Sequence, residues 1–118
     1  MSAIADELAA VVDELAAAGL TATRDPGLVA ATVAASGYCL LVDQPTVTGA
    51  ALGGGRLHLK VPVRLLGAAP GGPAQLDPVW QALPAAQRVL ASPTAEPEPR
   101  TIAGTTFPGY TLTTQRRI

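Results

Sequence analysis

Few side chains in this 118-residue chain are suited to chemistry: one cysteine, Cys39, one histidine, His58, and a scatter of carboxylates. Nucleophilic catalysis needs a nucleophile, a base and a group that orients the base. Cys39 and His58 would meet only if their two segments paired as a hairpin, and Cys39 sits in the apolar run YCLLV, where a thiol serves as a small hydrophobe. Acid–base hydrolysis needs paired carboxylates, and Asp43 has no obvious partner. The run Gly53-Gly54-Gly55 lacks the lysine and the following helix of a phosphate loop. One histidine without a second, and without a nearby cysteine, makes no metal site. A lone cysteine allows no intrachain disulfide and no cysteine zinc site. The expectation is a chain with no catalytic, cofactor-binding or metal-binding residue, and not an enzyme.

A second pattern concerns charge. In GGGRLHLKVPVRLLG, residues 53–67, Leu57, Leu59, Val61, Val63 and Leu65 alternate with Arg56, His58, Lys60, Pro62 and Arg64. Period-2 alternation is the mark of a half-buried strand. Eleven extended residues span about 35 Å, against a radius of gyration of ~13–14 Å for a domain of this length, so the strand crosses or overhangs the domain. Pro62 removes one ladder donor, which predicts an edge position. An open edge is a template for another chain. Arg56, Lys60 and Arg64 are then either the wet face of that strand or a contact surface for an acidic or phosphate-bearing partner.

The elements that position these residues follow from periodicity. Ile4, Leu8, Val11, Val12 and Leu15 form one apolar stripe, which predicts a helix over residues 2–18, capped by Ser2 and stopped by Gly19. Leu20–Arg24 is β-prone, RDPG is a turn, and Leu28–Ala35 is ambiguous between helix and extended chain. Tyr38–Thr48 reads as a strand, with Pro45 marking an edge, a bulge or a break. It is expected to pair with the long strand as an antiparallel hairpin around the glycine connector, residues 49–55. A second connector, residues 67–75, leads to a helix in which Asp77 is the expected cap, Pro78 the first position and Pro84 a kink or break. SPTAEPEPR is a linker by composition, Thr101–Gly104 and Tyr110–Thr114 are closing strands around FPGY, and Arg116, Arg117 and Ile118 form a polar tail. This order predicts an α+β fold: an antiparallel sheet with a long β-hairpin, packed against an N-terminal and a central helix. One domain, residues 1–118, is expected.

Composition narrows the partners. The net charge of −1 gives no bulk attraction to nucleic acid or acidic membranes. Only four residues are aromatic, so the core rests on Leu, Val and Ala and gains from neighbouring chains. The early acids Asp6, Glu7, Asp13 and Glu14 oppose a signal peptide, and no apolar run reaches ~18 residues. A soluble, unexported chain in a reducing setting is expected.

The layout resembles a known family. An acidic amphipathic helix, ADELAAVVDELAAAGL, is followed by TATRDPG, the strands YCLLVDQPTV and LHLKVPVRLL, the helix LDPVWQALPAAQRVL and a close in FPGYTLTTQRR. This resembles the tail terminator proteins of long-tailed, siphovirus-type bacteriophages. The resemblance is one of layout over nearly the whole chain. It implies a structural virion protein at the head–tail junction, assembled in the host cytoplasm. Such a protein forms a homo-hexameric ring on the last ring of the tail tube, stops tube polymerisation, and meets the head–tail connector or adaptor protein. DNA is only passing cargo in the channel, and no membrane, cofactor or catalytic residue is implied. On this reading Leu52, Arg56, Lys60, Arg64, Arg116 and Arg117 are the candidate subunit or tube contacts. The alternatives are a head–tail adaptor or tail-completion ring protein, or a small cytosolic ligand-binding domain using a pocket between the sheet and the helix kinked at Pro84.

Overall fold

The computed structural model describes residues 2–49, 57–69 and 71–118. Helix α1, Ala3–Ala17, begins where Ser2 Oγ accepts from the Ala5 N–H at 3.0 Å and ends before Gly19 at φ 81°. Strand β1, Ala22–Thr23, leads into a 3-10 turn, Pro26–Leu28, whose Gly27 N–H donates to Asp25 Oδ1. The ambiguous segment is helical: α2 spans Val29–Ser36 and stops at left-handed Gly37. Strands β2, Tyr38–Val42, and β3, Thr46–Gly49, are separated by Asp43-Gln44-Pro45, the break that Pro45 predicted. The long strand is β4, Leu57–Gly67; helix α3 is Pro73–Leu90. Four strands close the chain: β5, Glu96–Pro97; β6, Arg100–Ile102; β7, Thr105–Phe107; and β8, Gly109–Arg117.

The fold is α+β, as expected. The main sheet runs β1-β2-β4-β8-β5, with β3 beside β4 beyond the end of β2. All its pairs are antiparallel except β1 with β2. On one face, Leu8, Val11 and Leu15 of α1 and Val79, Ala82, Ala86 and Leu90 of α3 bury against Leu40, Leu59, Val61, Val63, Leu65 and Leu112. On the other face, Val29 and Val33 of α2 and Phe107 of β7 cover Cys39, Leu41 and Leu66. Among the described residues, that second layer covers the end of the sheet where β2 pairs with β4.

Several expectations are corrected here. The stretch from Leu57 to Gly67 is not an edge: β4 pairs with β8 on one side and with β2 and β3 on the other, so it is the central strand. Pro62 is accommodated because its missing N–H falls at the break between β2 and β3, where its carbonyl accepts from the Asp43 N–H at 3.0 Å. Helix α3 starts a turn and more before Asp77, with Pro73 in the first turn and Gln75 Oε1 accepting from the Gly72 N–H at 2.7 Å. It continues through both Pro78 and Pro84, and Pro84 lies on the exposed side. A third helix, α2, adds a layer to the face opposite the expected two. Residues 101–104 turn back into β7 rather than pairing with the last strand. The C-terminus is no tail: Arg116 and Arg117 belong to β8, and Ile118 exchanges two hydrogen bonds with Leu57. The β4 strand nevertheless crosses the domain as its length required: the radius of gyration is 14.5 Å and the longest extent 51 Å.

Candidate functional site

Strand parity sorts the candidate contact residues. The β4–β8 register sets Leu59 opposite Arg116, Val61 opposite Thr114 and Val63 opposite Leu112, so Arg116 shares the helix-covered face. Its guanidinium reaches α1, donating to Glu14 Oε2 at 2.6 Å and Oε1 at 3.0 Å, with Glu7 at 3.7 Å. The hydrogen bond from Glu14 raises the Arg116 pKa above the ordinary arginine range, against a smaller opposing effect of burial. Arg64, on the other face, donates to Glu98 at 2.9 Å and Thr111 at 2.7 Å and lies 3.4 Å from Asp43. Arg100 reaches Asp43 at 3.1 Å. Asp43, the carboxylate without a partner in the sequence, is thus held between two guanidinium groups.

Both arginines are therefore engaged within the chain. Lys60 and Arg117 are exposed on the face away from α1 and α3, and neither forms an ion pair among the described residues. They stand with Thr46, Thr48, His58 and Gln115 on a bare end of the sheet, three strands wide. His58 Nε2 lies 3.1 Å from Gln115 Oε1. Leu52 and Arg56 lie outside the described residues.

Cys39 and His58 do not meet. Cys39 pairs with Leu66 and His58 with Thr48, about eight residues apart along β4, or roughly 26 Å. Cys39 is fully buried among Val29, Val33, Leu41, Leu66 and Phe107, and that burial pushes its thiol up from 9.0 to about 11, against a smaller lowering by Thr32. A thiol so held is not a ready nucleophile. Among the described residues no group of three His, Cys, Asp or Glu side chains could hold a metal ion, and no helix is long and apolar enough to cross a membrane.

The space between α3 and the sheet is filled by Val79, Ala82, Ala86 and Leu90. An open trough of about 570 Å³ lies instead beside β8, lined by Lys60, Ser92, Thr94, Glu96, Thr113 and Gln115. It exists because the chain leaving α3 passes through Ser92–Thr94 before β5, which pairs with only two residues of β8. Parity alone separates Arg116 from Arg117. The partners of Arg64 and Arg116 carried no sequence signal, being 34 and 102 positions away.

No protein-family model, no curated protein and no solved structure matches this chain.

Proposed function

We propose that this chain is a structural subunit of a bacteriophage tail, assembling as a ring that caps the tail tube and joins it to the head connector. The observation that carries the reading is the bare end of the sheet. There Thr46, Thr48, His58, Lys60, Gln115 and Arg117 line a face that no helix covers among the described residues, while the opposite end is layered on both sides. A polar antiparallel face stays wet in a lone subunit, and in a ring the same end has neighbours to meet it. The order of helices and strands that resembles the tail terminators supports the finer assignment. Termination is geometric on this reading: one face of the ring fits the tube, and the other offers no copy of the tube's own surface. The partners are further copies of the chain, the tail tube protein and the head–tail connector, with DNA passing through.

The test adds the purified chain to polymerising tail tube protein of the same virus and measures tube length and end density by electron microscopy. Shortened tubes with a ring at one end are expected. Tubes of unchanged length with bare ends overturn the reading. A ring found on portal complexes but never on tubes favours the head–tail adaptor.

A further inference from the structure

The bare end of the sheet has two open edges, and their hydrogen-bonding atoms can be named. Leu57 and Ile118 exchange both backbone bonds, at 2.9 and 3.0 Å. Backbone groups alternate sides along a strand. On β8 the even-numbered residues therefore bond β4 and the odd-numbered ones point away. Thr111 spends its outward side on Glu96 of β5, and the Thr113 N–H donates to Ser92 Oγ at 3.2 Å. Beyond them, Gln115 and Arg117 present outward N–H and C=O groups with no backbone partner among the described residues. On β4 the even-numbered residues point the other way, as the Asp43 bond to Pro62 requires. Thr46 and Thr48, opposite Lys60 and His58, bond inward, which leaves Val47 and Gly49 with outward groups that have no backbone partner among the described residues. Val47 is 44% exposed. Pro45, next outward on this edge, has no N–H and ends the available ladder.

Each chain thus carries two open edges, on opposite sides of one sheet, each with two outward residues spaced two apart. Both β3 and β8 run antiparallel to β4, so they run in the same direction. We propose that the Gln115–Arg117 edge of β8 in one copy pairs in parallel with the Val47–Gly49 edge of β3 in the next, with Val47 opposite Arg116, continuing the sheet head to tail around a closed ring. The occupant is a second copy because the chain itself supplies the complementary edge, matched in length and direction. A two-fold dimer through β8 alone would leave every β3 edge open. Closure into a ring rests on the reading above; the edge pairing does not depend on the tube.

The test uses Val47→Pro and Arg117→Pro. Each removes an outward donor that the folded subunit does not use, at an edge position where proline is tolerated. Native mass spectrometry of the wild type is expected to show assemblies, and each variant alone a monomer with an unchanged far-UV circular dichroism spectrum. An equimolar mixture of the two variants is expected to give a one-to-one heterodimer, since one intact β8 edge meets one intact β3 edge and the other two are blocked. A wild type that stays monomeric at all concentrations overturns the pairing, as do two folded variants that keep the wild-type mass. In the latter case the ring stands and only its interface is wrong, while the tube assay judges the ring's role separately. Should a proline variant unfold, Thr46→Cys with Gln115→Cys in a Cys39→Ala chain reads the same contact. Oxidation is expected to give an intermolecular ladder, and its absence overturns the pairing.

Discussion

Arg116, next to last in β8, grips Glu14 of α1 through both terminal guanidinium nitrogens, at 2.6 and 3.0 Å. The pair ties the last strand to the first helix across 102 positions of sequence. Arg116 is 17% exposed but Glu14 is 45% exposed, so solvent screens the pair on the carboxylate side. Arg116→Ala is expected to lower stability by about 1–2 kcal/mol, at the upper end for a bidentate pair near a surface. The folded arginine pKa is raised, so its contribution is whole at neutral and mildly alkaline pH and is lost in strongly alkaline solution. Urea unfolding at pH 7 and pH 9 should therefore give the same deficit. A deficit that vanishes at pH 7 would show that the pair does not hold.

Asp43 faces two guanidinium groups, while Glu98 is half-exposed and faces one. Removing Asp43 leaves Arg64 and Arg100 to repel each other in a part-buried site. Asp43→Ala is expected to cost about 2–3 kcal/mol and Glu98→Ala under ~1 kcal/mol. Chemical denaturation of the two variants side by side checks the order, and equal losses would refute it.

The elements were legible wherever a periodic pattern ran long enough. The α1 stripe, its Ser2 cap and Gly19 stop, the strand alternation of residues 57–65 and the break at Pro45 all stand in the structure. Pro62 misled because a missing donor signals either an edge or a gap in the neighbouring strand, and only the pairing of β2 and β3 decides which. Pro78 does not start the helix and Pro84 does not break it, because packing of the α3 apolar face outweighs the local cost of a proline. At the candidate site, strand parity exposes Lys60 and Arg117. The partners that engage Arg64 and Arg116 come from tertiary folding alone.

Cys39 supplies a pH signature. Its folded pKa of about 11 lies above the unfolded value of 9.0. Below pH 9 both states keep the proton and the contribution is whole; as pH climbs from 9 to 11 the unfolded state ionises first and stability falls. The loss approaches roughly 2–3 kcal/mol at about 1.4 kcal/mol per unit. Wild type and Cys39→Ala should therefore draw together in stability between pH 8 and pH 11, as followed by urea titration. Parallel curves would contradict the buried thiol.

Gly109 opens β8 directly against the β4 backbone, where an added Cβ would strike the Leu65 carbonyl oxygen far inside contact distance. The obstacle is main chain in a paired strand, so no side-chain rotation relieves it. Gly109→Ala is expected to cost more than about 3 kcal/mol, among the larger single-residue effects. Thermal unfolding reads it, and Gly104→Ala, where no atom lies in the way, serves as a control that suffers only its left-handed φ of 83°. Similar losses at the two glycines would deny the close approach.

Pro84 interrupts the hydrogen-bond ladder inside α3, since it offers no N–H to the Trp80 carbonyl one turn back. Its ring points to solvent and supports none of the buried contacts of the helix. Pro78 differs, because its ring packs against Gly37 at the end of α2. Replacing Pro84 by alanine restores the bond and relieves the clash without opening a cavity. Pro84→Ala is expected to stabilise the chain by about 1–3 kcal/mol, offset in part by the greater freedom of the unfolded chain. Pro78→Ala gains the same bond but loses the packing, so its net change should be smaller or negative. Calorimetry on both variants decides: a higher melting temperature for Pro84→Ala alone is the expected result, and destabilisation by Pro84→Ala would mean that the proline shapes α3 rather than straining it.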